Sequence, residues 1–358
     1  MCRVGEPMDI LLSSHLSDIM TIQASPSAAK STAGIDVGAE ELIVVIRKDG
    51  KPSTPQRFTN TAAGRASLAS KLSKLPRVIV CMEATGIYHL DLAIALHDAG
   101  LALMVINPKA AHHFAQVLLK HTKTDAVDAN TLAEYAERMD FVAWTRPTSA
   151  KLALRSCARR IAALTRQKAA GKNHLHAYGF TADTPQAVLD DVQLGIDQLE
   201  QRIALLLAEA KRLIAQDLEL RQANELLLSV KGIGEASAVA LLGELLLLPP
   251  GLSCKQWVKF AGLDPRIFTS GKSVHKQSSL SKAGNRHIRA ALYMPALSAK
   301  QHDPRVKGYF DHLVNNGKKP MQALCAVMRK LLHAIHGMLK TGHPFDNTRF
   351  YQPTANGA

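Results

Sequence analysis

The sequence lacks the features that mark secreted, membrane-spanning and zinc-binding proteins. Its five cysteines are scattered, without a C-x-x-C pair, which favours a reducing cytoplasm and argues against structural zinc. No apolar run reaches the length of a membrane span. The first 32 residues are rich in serine and alanine but have no basic start, apolar centre or cleavage pattern of a signal peptide. We therefore expect a cytoplasmic protein, without membrane association, whose residues 1–32 form a poorly ordered leader.

Acidic residues are scarce in the last third of the chain. The whole chain carries a formal net charge of +14, and residues 251–345 contain 16 lysines and arginines against three aspartates. A merely soluble basic surface is the alternative explanation, but charge this one-sided favours a polyanionic partner. The composition therefore predicts a nucleic-acid-binding protein.

Residues 33–145 have the pattern of an α/β domain. Three strands joined by hairpin turns are predicted up to Phe58, and helices and strands then alternate through "RVIVCME", "YHLDLAIALHDAG" and "LALMVINP". An amphipathic helix opens near Asp125. This order predicts a mixed sheet covered by helices.

Residues 146–220 change to long stretches with helical apolar spacing. They predict a helical coiled-coil connector, with an ordinary helical layer of the same domain as the alternative. We assign residues 221–346 to a mostly helical C-terminal domain and residues 347–358 to a tail.

The C-terminal domain contains two segments suited to phosphate binding. "VKGIG", before a helix starting near Glu235, has the form of a helix-hairpin-helix turn, in which Lys231, Gly232 and Gly234 are candidates for contacting a phosphate. Farther on, residues 260–299 are dense in serine, glycine, lysine and arginine, and we expect loop-borne hydroxyls there beside the cations. A helix is predicted over residues 285–299.

Four carboxylates occupy positions where an unpaired negative charge would cost free energy. Asp125 and Asp128 are three residues apart, so they are neighbours on one helix face and repel each other. Capping by Thr124 or Asp125 is the alternative explanation for acids at a helix start. Asp36 interrupts the first strand and Glu83 follows an apolar strand. Together the four acids form the ligand set expected of a two-Mg²⁺ phosphoryl-transfer site.

Seven motifs resemble one known family over residues 33–344. They are "GIDVGAEEL", "CMEATGIY", "VINP", "HTKTDAVDANTLAEY", "VKGIGEASA", "FAGLDPRIFTSGKSV" and "SKAGNRHIRAALYMPA". These motifs resemble the DEDD transposases of bacterial insertion sequences, the family numbered one hundred and ten.

This resemblance implies a RuvC-like, ribonuclease-H-type N-terminal domain, a coiled-coil connector and a C-terminal transposase domain. It implies that Asp36, Glu83, Asp125 and Asp128 bind Mg²⁺, with Mn²⁺ as a substitute, and that Ser270 is the catalytic serine. The implied activity is excision and insertion of an element, acting on donor and target DNA under the guidance of a structured non-coding bridge RNA. The implied assemblies are homodimers and tetramers, associated with the nucleoid when active.

Phosphate-backbone contacts are expected from six cationic side chains around the proposed serine, and nonspecific solvated charge is the alternative for each. They are Lys272, His275, Lys276, Lys282, Arg286 and Arg289. Chemistry alone does not single out Ser270 among the neighbouring hydroxyls, and only its motif position selects it.

Two other functions compete with the recombinase. One is a RuvC-like structure-selective DNA endonuclease that uses metal-activated water. The other is a noncatalytic nucleic-acid-binding protein, which would have no need of the four acids.

Overall fold

The computed structural model describes residues 31–352 except Thr85, Lys120, His121, Lys123 and residues 271–273, and it leaves the side chains of residues 267–278 undescribed. The predicted leader, up to residue 30, and the last six residues of the tail lie outside the described part. The chain divides into two compact units, residues 1–146 and 147–358.

A mixed sheet forms the centre of the first unit, as predicted, and it has six strands. The strand order is β3-β2-β1-β5-β6, and β4 also pairs with β2. β1 pairs antiparallel with β2 and parallel with β5, which in turn pairs parallel with β6. The strands are β1 (Ser31–Val37), β2 (Glu41–Lys48), β3 (Lys51–Pro52), β4 (Gln56–Thr59), β5 (Val78–Glu83) and β6 (Ala102–Ile106).

Helices cover the two faces of this sheet. They are α1 (Ala62–Ser73), α2 (Leu90–Asp98), α3 (Pro108–Val117) and α4 (Asp125–Arg138). Alternate strand residues such as Ile35 and Val80 form one core with apolar residues of α1 and α2. Their neighbours in sequence point to the opposite face, where α4 packs against β1, β2 and β5. Successive side chains of β1 and β5 thus point alternately to the core under α1 and α2 and to the face covered by α4.

Gly34 allows α4 to lie unusually close to β1. A Cβ atom on Gly34 would lie 1.9 Å from the carbonyl oxygen of Ala129 and 2.3 Å from the amide nitrogen of Ala133. On the neighbouring strand β2, the Arg47 guanidinium donates to Glu137 at 2.7 Å and to Asn130 at 3.1 Å, both in α4. The absence of a Cβ atom at Gly34 and the ion pair between Arg47 and Glu137 therefore fix the position of α4.

The second unit is almost entirely helical. Its first two helices, α5 (Ser149–Tyr178) and α6 (Gln186–Gln216), pack against each other. The buried core joins them to the helices that follow. None of the helices described in either unit is both long and apolar enough to cross a membrane. The remaining helices are α7 (Leu218–Leu228), α8 (Glu235–Leu245), α9 (Cys254–Ala261), α10 (Arg286–His302), α11 (Pro304–Asn315) and α12 (Pro320–Thr341), with a short 3₁₀ helix at Asn347–Arg349.

The serine-rich segment forms a β-hairpin, so the prediction of loops there is wrong. β7 (Pro265–Ser270) pairs antiparallel with β8 (Val274–Leu280), with an irregularity between Arg266 and Phe268. Serine, glycine and lysine are poor strand formers, and the segment has little apolar alternation. Backbone hydrogen bonds between β7 and β8 form the two strands, although their side chains give no strand pattern.

The turn between α7 and α8 contains two glycines in different surroundings. Gly232 has φ +103°, and a Cβ atom there would lie 2.5 Å from the amide nitrogen of Ala299 in α10. Gly234 precedes α8 as its N-cap residue, and a Cβ atom there would meet nothing within 4 Å. Close packing against α10 therefore explains Gly232, whereas it does not explain Gly234.

We expect Gly232→Ala to lower the free energy of unfolding by about 3 kcal/mol, because the new methyl group meets backbone atoms and the backbone angle disfavours alanine. Gly234→Ala is the control, and it should cost less than about 1 kcal/mol as a weaker N-cap. Urea unfolding followed by circular dichroism measures both. Equal stability of the two variants would contradict the packing seen at Gly232.

Candidate active site

Asp36 and Glu83 lie side by side on neighbouring parallel strands. β1 and β5 pair in a register that places Ile35 opposite Met82, and one further step along both strands places Asp36 beside Glu83. Because Ile35 and Met82 both belong to the core under α1 and α2, the two acids point to the other face of the sheet. That is the face on which α4 packs.

The first turn of α4 brings two more acids to this face. Asp125 and Asp128 both lie in that turn. The N-cap is Thr124, whose hydroxyl accepts a hydrogen bond from the amide of Val127 at 3.3 Å. Of the two predicted capping residues, the structure therefore selects Thr124. The cap does not account for a pair of carboxylates at this helix end.

The electrostatics of Asp36 show that the four acids are near neighbours. The pKa of Asp36 is raised from 3.8 to about 6, first by burial and then by the charges of Asp125, Asp128 and Glu83, in that order. All four predicted carboxylates thus contribute to one local negative potential. The structure brings together acids that are separated by up to 92 positions in the sequence.

This acidic group suits a hard divalent cation in charge and in donor type, since carboxylate oxygens are the ligands that Mg²⁺ prefers. A cation there would relieve the repulsion that raises the pKa of Asp36. In the described ranges, however, no three histidine, cysteine, aspartate or glutamate side chains are arranged to hold a metal ion. The acids are close without enclosing a single coordination point.

A cysteine lies beside the acids but is not a second nucleophile. Cys81 is buried in β5, two residues before Glu83 and on the same face of the sheet. Burial raises the pKa of its thiol to about 12. The thiolate, which is the reactive form, is therefore strongly disfavoured, and Cys81 acts as a packing residue.

The predicted serine belongs to the second unit. Ser270 is the last residue of β7 and pairs with Val274, the first residue of β8. Its side chain, with those of His275 and Lys276, is outside the described part of the structure, and Lys272 is outside it entirely. The backbone therefore places Ser270 at the end of β7, and its chemistry stays a prediction.

The remaining predicted cationic residues have different surroundings. Lys231, Lys282 and Arg286 are exposed to solvent. Arg289 instead donates from Nη1 to the carbonyl oxygen of Ala261 at 2.8 Å, at the end of α9. This contact gives Arg289 a role in holding α9 against α10, and phosphate binding by the four side chains stays a prediction.

Two important features were missed in the sequence. Gly34 stands two residues before Asp36, a spacing that puts both on one strand face, and this was a usable signal for a helix packed closely at the acids. Glu244 is a buried acid of α8 that binds Arg159 of α5. Nothing in the local sequence distinguishes Glu244 from an exposed helical glutamate.

A mixed sheet of this order, with acids on two central parallel strands and on the helix packed over them, is consistent with a RuvC-like fold. Clustered carboxylates on such a fold suit metal-assisted phosphoryl transfer, which predicts an enzyme that acts on nucleic-acid phosphodiesters. Comparison with known proteins gives the family. Residues 33–178 match the family model of the DEDD transposases of the IS110 type, and residues 224–311 match that of the "Transposase IS116/IS110/IS902 family".

Curated relatives agree with both matches. The chain is 30% identical over 274 residues to the "Pilin gene-inverting protein" of Moraxella bovis, covering 74% of this chain and 81% of that one. It is 25% identical over 281 residues to the "Transposase for insertion sequence element IS1328" of Yersinia enterocolitica, covering 72% and 80%. The chain belongs to the IS110 family of transposases and is an enzyme that acts on DNA.

Proposed function

We propose that this transposase excises and inserts its element by strand exchange, with Asp36, Glu83, Asp125 and Asp128 as Mg²⁺ ligands and Ser270 as nucleophile. The convergence of the four acids on one face of the sheet is the observation that carries the proposal. Each acid alone has an ordinary explanation, but a half-buried carboxylate repelled by three others needs a counter-charge. When bound, Mg²⁺ or Mn²⁺ would stabilise the attacking and leaving oxygens of the phosphodiester.

In the proposed reaction, the Ser270 hydroxyl loses its proton as Oγ bonds to phosphorus, and one phosphorus–oxygen bond of the DNA strand breaks. The leaving oxygen takes up a proton. The freed hydroxyl of an exchanged strand then attacks the phosphoserine, which rejoins the DNA and restores the serine. Phosphodiester bonds are conserved, so no nucleotide cofactor is required.

The proposed partners are donor DNA, target DNA and a structured guide RNA. The relative from Moraxella bovis is named for gene inversion, which is a rearrangement of DNA, and this favours recombination over simple cutting. Guidance by a bridge RNA rests on the family resemblance. Because its substrate is DNA, we expect the enzyme to work in the bacterial cytoplasm, at the nucleoid.

Helical features of the second unit support two finer assignments. The α7–α8 turn, with exposed Lys231 and an open Gly234, is suited to a helix-hairpin-helix contact with a phosphate. The α5–α6 pair carries exposed apolar residues, among them Leu194, Leu205 and Phe180. A coiled-coil contact between copies would cover them, in the dimer or tetramer that we propose as the active form.

Ser270→Ala should abolish the covalent protein–DNA adduct, because no other residue is assigned as the nucleophile. The assay combines the protein, DNA of the element ends, the adjacent non-coding RNA and Mg²⁺, and a denaturing gel then detects protein-linked DNA. Ser279→Ala is the matched control, since it removes an exposed hydroxyl from the partner strand of the same hairpin. Cleaved DNA without an adduct in every variant would favour the metal-dependent endonuclease instead.

A further inference from the structure

A buried carboxylate in the second unit joins three helices. Glu244 of α8 is only 4% exposed. It accepts hydrogen bonds from Nε and Nη2 of Arg159 in α5, at 2.6 and 3.1 Å, and from Nδ2 of Asn285 at 2.6 Å. Asn285 is also the N-cap of α10, where it accepts from the amide of His287 at 2.8 Å. Glu244 therefore holds one face of α5 at the N-terminus of α10.

Further cations gather around this junction. Arg155, Arg159 and Arg166 fall within an arc of about 40° on α5, because each residue turns the helix by about 100°. Burial lowers the pKa of His287, and the charges of Arg159, Arg286 and Arg166 lower it further against the opposing effect of Glu244. The arginines of α5 and the first turn of α10 thus share one positive potential.

The arginines at this junction carry more charge than the single carboxylate of Glu244 can neutralise. Glu244 is already engaged by Arg159, and in the described residues no carboxylate forms an ion pair with Arg155, Arg166 or Arg286. Arg155 is half-buried, and its pKa is lowered by burial and then by the charge of Arg159, against the opposing charge of Glu244. Arg155 is thus partly removed from water and shares the Glu244 carboxylate with Arg159, so an anionic ligand would offset part of the cost of its charge. Arg166 and Arg286 are exposed and therefore accessible to such a ligand.

We propose that Arg155, Arg166 and Arg286, arranged around the Arg159–Glu244 pair, bind consecutive phosphates of a nucleic-acid backbone. The size of the cluster indicates a chain of phosphates, since Arg155 and Arg166 are about 16 Å apart along α5, beyond the reach of a single phosphate. Guanidinium forks and the positive end of α10 both suit phosphate oxygens. The inference depends on the proposed function only in taking nucleic acid as the polyanion.

Binding of a labelled DNA duplex and a labelled RNA hairpin, measured by fluorescence anisotropy in EDTA at several salt concentrations, tests this site. Arg155→Gln and Arg166→Gln should each weaken binding about 3- to 10-fold and reduce the slope of log K against log salt by about 1. Arg160→Gln is the control, because Arg160 is an exposed arginine of the same helix that lies about 100° from Arg159. It should leave the salt slope unchanged.

Comparing the DNA duplex with the RNA hairpin shows which nucleic acid supplies the phosphates. An effect confined to the hairpin assigns the site to RNA, one confined to the duplex assigns it to DNA, and an effect on both supports a shared backbone site. Equal losses in the Arg160 variant, or unchanged slopes in both site variants, would overturn the proposal. If Arg155→Gln lowers the melting temperature, the binding and salt slope of Arg166→Gln decide whether the site binds phosphate, because Arg166 is exposed. Neither arm requires strand exchange, so a failure of the Ser270 chemistry would be seen separately.

Discussion

Asp36→Asn should reduce strand exchange at least a thousandfold, or by about 4 kcal/mol of transition-state stabilisation, while making the metal-free protein more stable. Activity falls because the central acid of the proposed metal site is lost. Stability rises because the charge on Asp36 is half-buried and repelled by three other acids. The two effects have opposite signs, which a simple folding defect does not produce.

The gain in stability depends on pH in a defined direction. The pKa of Asp36 is about 6 in the folded protein against an ordinary 3.8, so the folded state binds its proton more tightly than the unfolded state does. Without metal, the wild-type protein should therefore lose stability as pH rises from about 4 to about 6, and then level off. After allowance for solvent screening of a half-buried group, the loss is about 1–2 kcal/mol.

Thermal unfolding of both proteins in EDTA at pH 4 and pH 8 measures this effect. The asparagine variant should melt above wild type at pH 8 and close to it at pH 4. Added Mg²⁺ should raise the melting temperature of wild type more than that of the variant. Asp140→Asn, at an exposed aspartate just beyond α4, is the control. Full strand exchange by Asp36→Asn would refute the assignment of the acids.

Gly34→Ala should destabilise the first unit by about 3–5 kcal/mol, because a methyl group has no room between β1 and α4. The neighbouring atoms are helix backbone, which cannot move aside as a flexible side chain does. Relief requires α4 to shift away from the sheet, and Asp125 and Asp128 would move with it. The variant should therefore lose activity even at temperatures where it stays folded.

A spectroscopic measurement separates displaced acids from simple loss of stability. If α4 moves outward, Asp125 and Asp128 repel Asp36 less, so the pKa of Asp36 should fall in Gly34→Ala. Carboxyl carbon NMR shifts followed through a pH titration report this change. Gly100→Ala is the control within the same unit. Gly100 has φ +73° but open space around its Cβ position. The Gly100→Ala change should therefore lower the free energy of unfolding by about 1 kcal/mol and leave the pKa of Asp36 unchanged.

The order of elements in the first unit could be read from the sequence because its signals are local. Residues 42–46 show a continuous apolar run, Lys48 to Lys51 form a turn, and Gly100 ends the region of α2. The four acids were predicted from their positions at the strands and at the start of the helix, and their role stays a proposal. Their placement on one face required only the period of two along β1 and β5, together with the parallel register that the structure supplies.

The missed features depend on distant parts of the chain. β7 and β8 are ordered by pairing with each other, and their polar side chains gave no strand pattern. Arg289 appears in the sequence as a free cation, but its partner Ala261 is contributed by another helix. Glu244 likewise binds residues 85 positions before it and 41 positions after it. Such contacts follow from tertiary packing, which local propensity does not describe.

The parallel pairing of β1 with β5 also determines when the acidic site can exist during protein synthesis. A parallel pair cannot close through a short turn, so β1 must wait for the intervening chain and α1 before β5 joins it. The turn of α4 that carries Asp125 and Asp128 leaves the ribosome later still. A nascent chain that holds only Asp36 and Glu83 has half of the acids, so the proposed metal site is complete only when the whole first unit folds.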